Sequence, residues 1–228
     1  HDQLEWLASE GFALAGNPGL EAALRRRCER AGRGEWADET LGWMQALLAT
    51  PLPSLGVALQ ELRTLLPEME FWMPSAQLHA RDIDTLCQRH LLDGEPRPAL
   101  PQRALHGMLM GFADLVFEHQ GRYWVLDYKS NSLGNAGADY GPAALRGAMA
   151  HHRYDVQAAI YLLALHRLLR TRLGAHYDPH QHLGGALYFF LRGIDGPCAG
   201  EYAVPATPEV LALLDTLDHL LTDEAALA

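Results

Sequence analysis

A chain of 228 residues, 49% of them hydrophobic, can build one sizeable core, with room for a small appended subdomain. Its three cysteines, Cys28, Cys87 and Cys198, are far apart and include no CxxC pair, which argues against a zinc ribbon or disulfide framework and fits a reducing cytoplasm. The formal net charge of -10 argues against a free-standing nucleic-acid binder, although net charge does not report a local groove or basic surface borrowed from a partner.

Apolar residues recur at three- and four-residue spacing in "LEWLASEGF", "GLEAALRRRCERA" and "ADETLGWMQALLAT", which predicts helices over most of residues 1–50. Pro51 and Pro53 stop the last of them. "SLGVALQELR" reads as a further short helix, and "EMEFWMP" (68–74) alternates like a strand. Residues 93–103 form a proline-rich loop. Residues 111–131, "GFADLVFEHQGRYWVLDYKSN", read as two strands joined by a short turn, and residues 132–142, rich in Gly, Asn and Pro, as a mobile loop. "PAALRGAMAHHRYDVQAAIYLLALHRLLRTRL" predicts a long helical stretch interrupted near His151; "GGALYFFLRGI" is a buried strand; "TPEVLALLDTLDHLL" is a terminal helix with Thr207 as N-cap. A helical front, a central sheet and helices packed on it make an α/β domain. No run of about 18 apolar residues and no basic-plus-apolar leader occurs, so neither a membrane span nor a signal peptide is expected. The chain opens on His1 rather than Met, as a fragment would.

The hairpin raises a chemical question, because each apolar strand carries one aspartate, Asp114 and Asp127, with Lys129 two residues after the second. Asp127 and Lys129 share a strand face. If Phe117 pairs with Arg122 across a four-residue loop, Glu118 to Gly121, then Asp114 pairs with Val125 and Asp127 is its diagonal neighbour on the same face, roughly 7–8 Å away. A slip of one residue would separate the two. A single strand Asp is usually an edge residue or an ion-pair partner. Two carboxylates on one buried face repel, however, and their pKa values rise unless a cation is present; a hard divalent ion such as Mg²⁺ suits carboxylate oxygens.

The pattern D-x12-D-x-K in "GFADLVF" and "VLDYKSN" resembles the PD-(D/E)xK nuclease core. More narrowly, "GFADLVFEHQGRYWVLDYKSNSLG", "HHRYDVQAAIYLLALHRLLRTRL" and "HLGGALYFFLRGID", in that order, resemble the RecB-type nuclease domains of bacterial helicase–nuclease subunits. The similarity is dense from Gly107 to Asp195 and looser from His1 to Pro74. It implies a restriction-endonuclease-like fold, a central mixed sheet flanked by helices, in a single domain over 1–228: a mostly helical part over 1–66, and the core with its flanking helices over 67–228.

The resemblance also implies roles. Asp114 and Asp127 match the metal-binding aspartates, the main-chain carbonyl of Tyr128 a further ligand, and Lys129 the catalytic lysine, an ammonium that orients water and stabilises charge on the phosphate. Gln157 and Tyr161, in "QAAIY", match a QxxxY motif whose i, i+4 spacing puts both on one helix face, Gln157 to hydrogen-bond and Tyr161 to contact phosphate or stack beside the scissile strand. Glu68 matches an acidic position before the hairpin, with Glu70 the alternative on the same face. His1 matches a helix-borne histidine ligand, which suits Mn²⁺ and tolerates Mg²⁺. Ca²⁺ is expected to bind without supporting comparable chemistry.

The function implied is a Mg²⁺-dependent exodeoxyribonuclease domain of a RecBCD-type complex. It would act in double-strand break repair and DNA degradation on single strands delivered by a helicase, with RecC-like and RecD-like subunits as partners, in the bacterial cytoplasm near the nucleoid. The alternative is an inactive nuclease-fold scaffold or DNA-binding module; such relatives usually lose one of the Asp, Asp and Lys positions, and all three are present. No G-x-x-x-x-G-K-[ST] loop occurs, so an ATPase would lie outside this chain. Three further groups have weaker readings. His176, His180 and His182 could bind zinc but sit in a cysteine-free loop. Asp82 and Asp84 read as a solvated strand or turn face. Arg167, Arg170 and Arg172 could meet phosphates, a partner or solvent.

Overall fold

The computed structural model describes residues 2–101 and 104–222. Three helices open the chain, α1 (Asp2–Ser9), α2 (Pro18–Arg30) and α3 (Ala37–Ala49), followed by a two-stranded ribbon, β1 (Pro51–Leu52) and β2 (Val57–Ala58). The helix expected over "SLGVALQELR" is not formed. Its apolar residues are instead divided between β2 and one 3₁₀ turn, Leu59–Glu61, closed by the Glu61 carboxylate accepting from Ala58 N.

The main sheet has five strands in sequence order, β3 (Thr64–His79), β4 (Ala104–His119), β5 (Arg122–Lys129), β6 (Leu183–Phe190) and β7 (Glu201–Pro205). All neighbours are antiparallel except β5 and β6, which run parallel. That parallel pair requires a crossover, supplied by α5 (Pro142–His151) and α6 (Tyr154–Leu173), with the four-residue α7 (Pro179–His182) before β6. The expected interruption near His151 is a sharp one: Arg153 is left-handed, with φ 56°, and separates the two helices. Among the elements not anticipated are β7 and α4 (Ala80–His90). The latter follows β3 without a loop and buries Ile83, Asp84 and Cys87. The terminal helix α8 (Pro208–Thr222) is capped as expected, with Val210 N donating to Thr207 Oγ1 at 3.3 Å.

β5 is central, and both its faces are covered, so it reads as a nearly unbroken apolar run. Val125 faces a core built from α4, α5, α6 and α8, whereas Trp124, Leu126 and Tyr128 face a second core built from α1, α2 and α3. On β6, beside the start of β5, the chain tolerates only glycine: a Cβ on Gly184 would lie 2.2 Å from the Trp124 indole. The segment 132–142 is anchored through Tyr140, which is buried and whose hydroxyl donates to Asn131 O. No described helix is long and apolar enough to cross a membrane.

The β4–β5 register differs from expectation. His119 pairs with Arg122 and Phe117 with Trp124. The loop is therefore two residues, Gln120 (φ 52°) and Gly121 (φ 78°), the left-handed pair of a tight hairpin turn. The shift of two residues preserves which face each side chain occupies. It brings Asp114 and Asp127 directly opposite each other rather than diagonal, one step beyond the last ladder pair, Leu115 and Leu126.

Candidate active site

Beyond Leu126 the two strands part: β5 continues beside β6 as far as Lys129, while β4 stays with β3. The side chain of Asp114 spans the opening, its Oδ2 accepting from Tyr128 N at 2.7 Å. A strand residue points its N–H and C=O to the same edge, so the Tyr128 carbonyl faces this gap too.

Asp127 and Lys129, 5% and 8% exposed, lie under α6. Lys129 Nζ is 2.6 Å from Asp127 Oδ2 and donates to Gln157 Oε1 at 2.9 Å. The Gln157 amide nitrogen donates to Asp127 Oδ1 at 3.0 Å and to the Tyr161 hydroxyl at 2.8 Å, and that hydroxyl donates to Phe112 O at 2.7 Å. The amide is thus oriented by its partners: the oxygen meets the ammonium and the nitrogen meets the carboxylate. Burial, followed by the charge of Asp127, pushes the Tyr161 phenol up, which keeps it a donor. Tyr161 packs edge-on against Phe71. Its hydroxyl serves Gln157 and β4.

Lys129 has an aromatic floor. Its ammonium lies 3.7 Å from the Tyr154 ring centroid and 5.3 Å from that of Tyr188, close enough for cation–π attraction. The Tyr154 hydroxyl donates to Asn131 Oδ1 at 3.1 Å, and the His152 and Tyr188 rings each stack with Tyr154. None of these residues belongs to a motif in the sequence. Tyr154 was nevertheless legible, since it precedes Gln157 and Tyr161 at i, i+3, i+7 spacing, the rule for one helix face.

On the β3 side, Glu68 falls opposite Asp114, between the pairs Pro67–Leu115 and Met69–Ala113, and has φ 47°. This exposed left-handed residue interrupts the ladder where β4 and β5 also part. Glu70 pairs with Phe112, two residues further from the aspartates. Partial desolvation, a hydrogen bond shared with Glu5, and the charges of Glu5, Asp114 and Asp2 all push the Glu68 carboxyl up. Asp2, Glu5, Trp6, Ser9 and Arg27 line a cleft of about 520 Å³ with Glu68. His1, expected to bind metal from this helix, lies outside the described residues.

Two carboxylates and a carbonyl are hard oxygen donors and fit Mg²⁺ or Mn²⁺. Among the described residues no three His, Cys, Asp or Glu side chains cluster as a complete metal cage, so the main-chain carbonyl, water or substrate oxygens would complete the shell.

A model of the PD-(D/E)XK nuclease superfamily matches residues 7–226. The chain belongs to this superfamily. It is similar to the RecBCD enzyme subunit RecB of Escherichia coli strain K12, 42% identical over 209 residues, which cover 89% of this chain and 18% of that protein. The Haemophilus influenzae RecB is 38% identical over 76% of this chain and 14% of its own length; that of Mycobacterium tuberculosis is 34% identical over 88% and 22%. The chain thus spans less than a quarter of each of these relatives.

The weaker candidates lie elsewhere. Asp82 and Asp84 are on α4, not on a strand or turn. Asp84 is buried, and its ion pair with Arg153 at 2.7 Å gives it a structural role. Arg167 and Arg170 pair with Asp218 of α8 at 2.5 and 3.1 Å, while Arg172 is exposed. His176 ends a 3₁₀ turn, and His180 and His182 belong to α7, where His182 Nδ1 accepts from Asp178 N.

Proposed function

We propose that residues 1–228 act as a divalent-metal-dependent deoxyribonuclease domain that hydrolyses phosphodiester bonds. One observation carries the reading: Gln157 holds Asp127 and Lys129 together in a cluster whose other members, Asp114 and Glu68, leave it rich in negative charge. Asp114, Asp127 and the Tyr128 carbonyl would hold Mg²⁺ or Mn²⁺, with His1 as a further ligand. When bound, the ion supplies Lewis acidity toward the phosphoryl oxygen and lowers the pKa of a coordinated water. Lys129, fixed by Asp127, Gln157 and the Tyr154 ring, directs its remaining donor capacity at the attacked phosphate, where charge builds. Gln157 keeps carboxylate and ammonium in register, and Tyr161 orients Gln157. Glu68 presents a carboxyl of raised pKa to the same opening, suited to moving a proton.

The RecB relatives are named as RecBCD enzyme subunits. By extension, this chain serves as an exonuclease module of a helicase–nuclease with RecC-like and RecD-like subunits. It would cut delivered DNA strands during double-strand break repair and DNA degradation, in the cytoplasm at the nucleoid.

The test is cleavage of labelled single-stranded DNA, with thermal melting, in Mg²⁺, Mn²⁺ or Ca²⁺. Mg²⁺ and Mn²⁺ should support cleavage and raise the melting temperature by mass action; Ca²⁺ should raise it without comparable cleavage. Asp127→Ala should lose both effects, and His1→Ala should weaken the metal response. Cleavage that survives Asp127→Ala unchanged would refute the assignment.

A further inference from the structure

Resting on that nuclease reading, we propose that an arginine ridge on α2 is the track for the sugar–phosphate backbone of the DNA strand beside the cleft. Residues 25–33, "RRRCERAGR", hold five of the chain's 18 Lys and Arg side chains and a single acid, Glu29. Arg25 is committed to Asp38 at 2.9 Å. The other four form the ridge.

Arg27 joins it to the site. Its Nε donates to Gln3 Oε1 at 2.8 Å, its Nη2 to Asp2 O at 3.2 Å, and its guanidinium lies 4.9 Å over the Trp6 ring. So held, it lines the same cleft as Glu68. Helical spacing places Arg26, Arg30 and Arg27 within an arc of about 100°. Arg33 is folded back over the helix end: Gly32, with φ 70°, lets Gly32 N bond Glu29 O and Arg33 N bond Cys28 O, a C-terminal cap that turns the chain. Arg26, Arg30 and Arg33 are exposed, and no carboxylate among the described residues pairs with them.

A helix C-terminus favours one or two cations near its last carbonyls. Four guanidiniums exceed that need, and Arg26 and Arg30, at i, i+4, repel each other. In a chain of net charge -10, this concentration of cations stands beside an acidic cleft that would otherwise turn a polyanion away. Guanidinium forks match phosphate oxygens geometrically, and the local field, not the net charge, sets where a strand docks. A strand whose scissile phosphate sits at Lys129 would lay its neighbouring phosphates along Arg27, Arg30, Arg26 and Arg33.

The experiment is fluorescence anisotropy of a fluorescein-labelled 20-nucleotide oligo-dT with the 228-residue chain in EDTA, over a salt series. The triple variant Arg26→Ala, Arg30→Ala, Arg33→Ala should bind at least about tenfold more weakly. Its log–log salt dependence should be shallower by about 2, since each single-strand phosphate contact contributes about 0.7. The corresponding triple Lys variant should keep most of the slope, which separates charge from fold, and KM for oligo-dT cleavage in Mg²⁺ should rise in the alanine variant. Unchanged affinity and slope in that variant, or a parent chain that does not bind the probe at low salt, would overturn the ridge. The first of these is also the outcome if an acidic protein partner occupies it. Cleavage that persists in Asp127→Ala would instead overturn the nuclease reading, with the anisotropy result standing apart from it.

Discussion

Helix α6 begins in one charged cluster and continues into another, and the two obey different rules. At its first turn, Asp155, 1% exposed, pairs with Arg97 at 2.7 Å and with Arg153 at 3.1 Å, and Arg153 pairs with Asp84 at 2.7 Å. Two carboxylates face two guanidiniums, and the remaining Arg97 donors go to the carbonyls of Cys87, Leu91 and Glu95. That cluster is neutral and closed, the arrangement a buried ion pair needs in order to offset its desolvation. Two residues later, Gln157 reaches a cluster in which Asp127 pairs with Lys129, Asp114 spans the strand gap to Tyr128 N, and Glu68 lies beside Asp114. Among the described residues its carboxylates exceed its one lysine, so it is unbalanced, and Glu68 opens on a cleft. A balanced buried network holds parts of the chain together, here the proline-rich loop, α4 and the start of α6. An unbalanced one calls for a cation from outside.

Changing each cluster in turn tests this contrast. Asp114→Asn keeps an acceptor for Tyr128 N but removes a carboxylate from the unbalanced cluster. Cleavage of labelled DNA in Mg²⁺ should fall by at least about 10³-fold, the several kcal/mol a metal supplies to the transition state. The melting temperature in EDTA should stay within a few degrees of the parent. Arg153→Ala does the opposite. It takes the ion-pair partner from Asp84, leaves Asp155 to Arg97 alone, and should destabilise the fold by about 3–5 kcal/mol, lowering the melting temperature by about 10 °C. A variant that melts with the parent would show the network to be dispensable. Gln157→Ala removes the bridge while leaving both charges. Its expected cost is about 10–100-fold in cleavage rate, as for a group orienting metal ligands, with little change in melting.

The smallest effect is one of pH. Burial alone would raise the Asp84 carboxyl, but hydrogen bonds from Gln88 and Arg153, with the charge of Arg153, outweigh it and hold the group below its usual value. A depressed carboxyl contributes stability above its unfolded pKa of about 3.9, and that contribution is lost as pH falls through the folded value. The parent should therefore melt higher than Asp84→Asn at about pH 7, and the gap should narrow as the buffer drops below about pH 4. A gap constant over that range would remove Asp84 from the acid response.

The hairpin was legible because strand geometry is local, and Asp127 and Lys129 share a face in any register. The misjudged loop came from Gln120, which adopts a left-handed conformation usually given to Asn, Asp or Gly. The even shift spared the prediction of faces. Helix α4 is poorly legible because the acids of "RDIDTL" dominate it, and its apolar spacing rests on Ala80, Ile83 and Cys87. Tyr161 was rightly placed on the face of Gln157, but no pattern along the chain could show that its hydroxyl turns inward to Phe112 O.

By itself, then, the sequence determined the shared face of Asp127 and Lys129, the break before α6 and the D-x12-D-x-K spacing, all consequences of near-neighbour geometry with periods of 2 and 3.6 residues. Only the tertiary structure decided which charges are balanced. Arg97 reaches Asp155 from 58 residues away, Arg153 reaches Asp84 from 69, and Gln157 bridges to Lys129 from 28. Whether a carboxylate is a strut or a ligand depends on whether packing brings a cation to it, and that distance is set by the fold rather than by spacing along the chain.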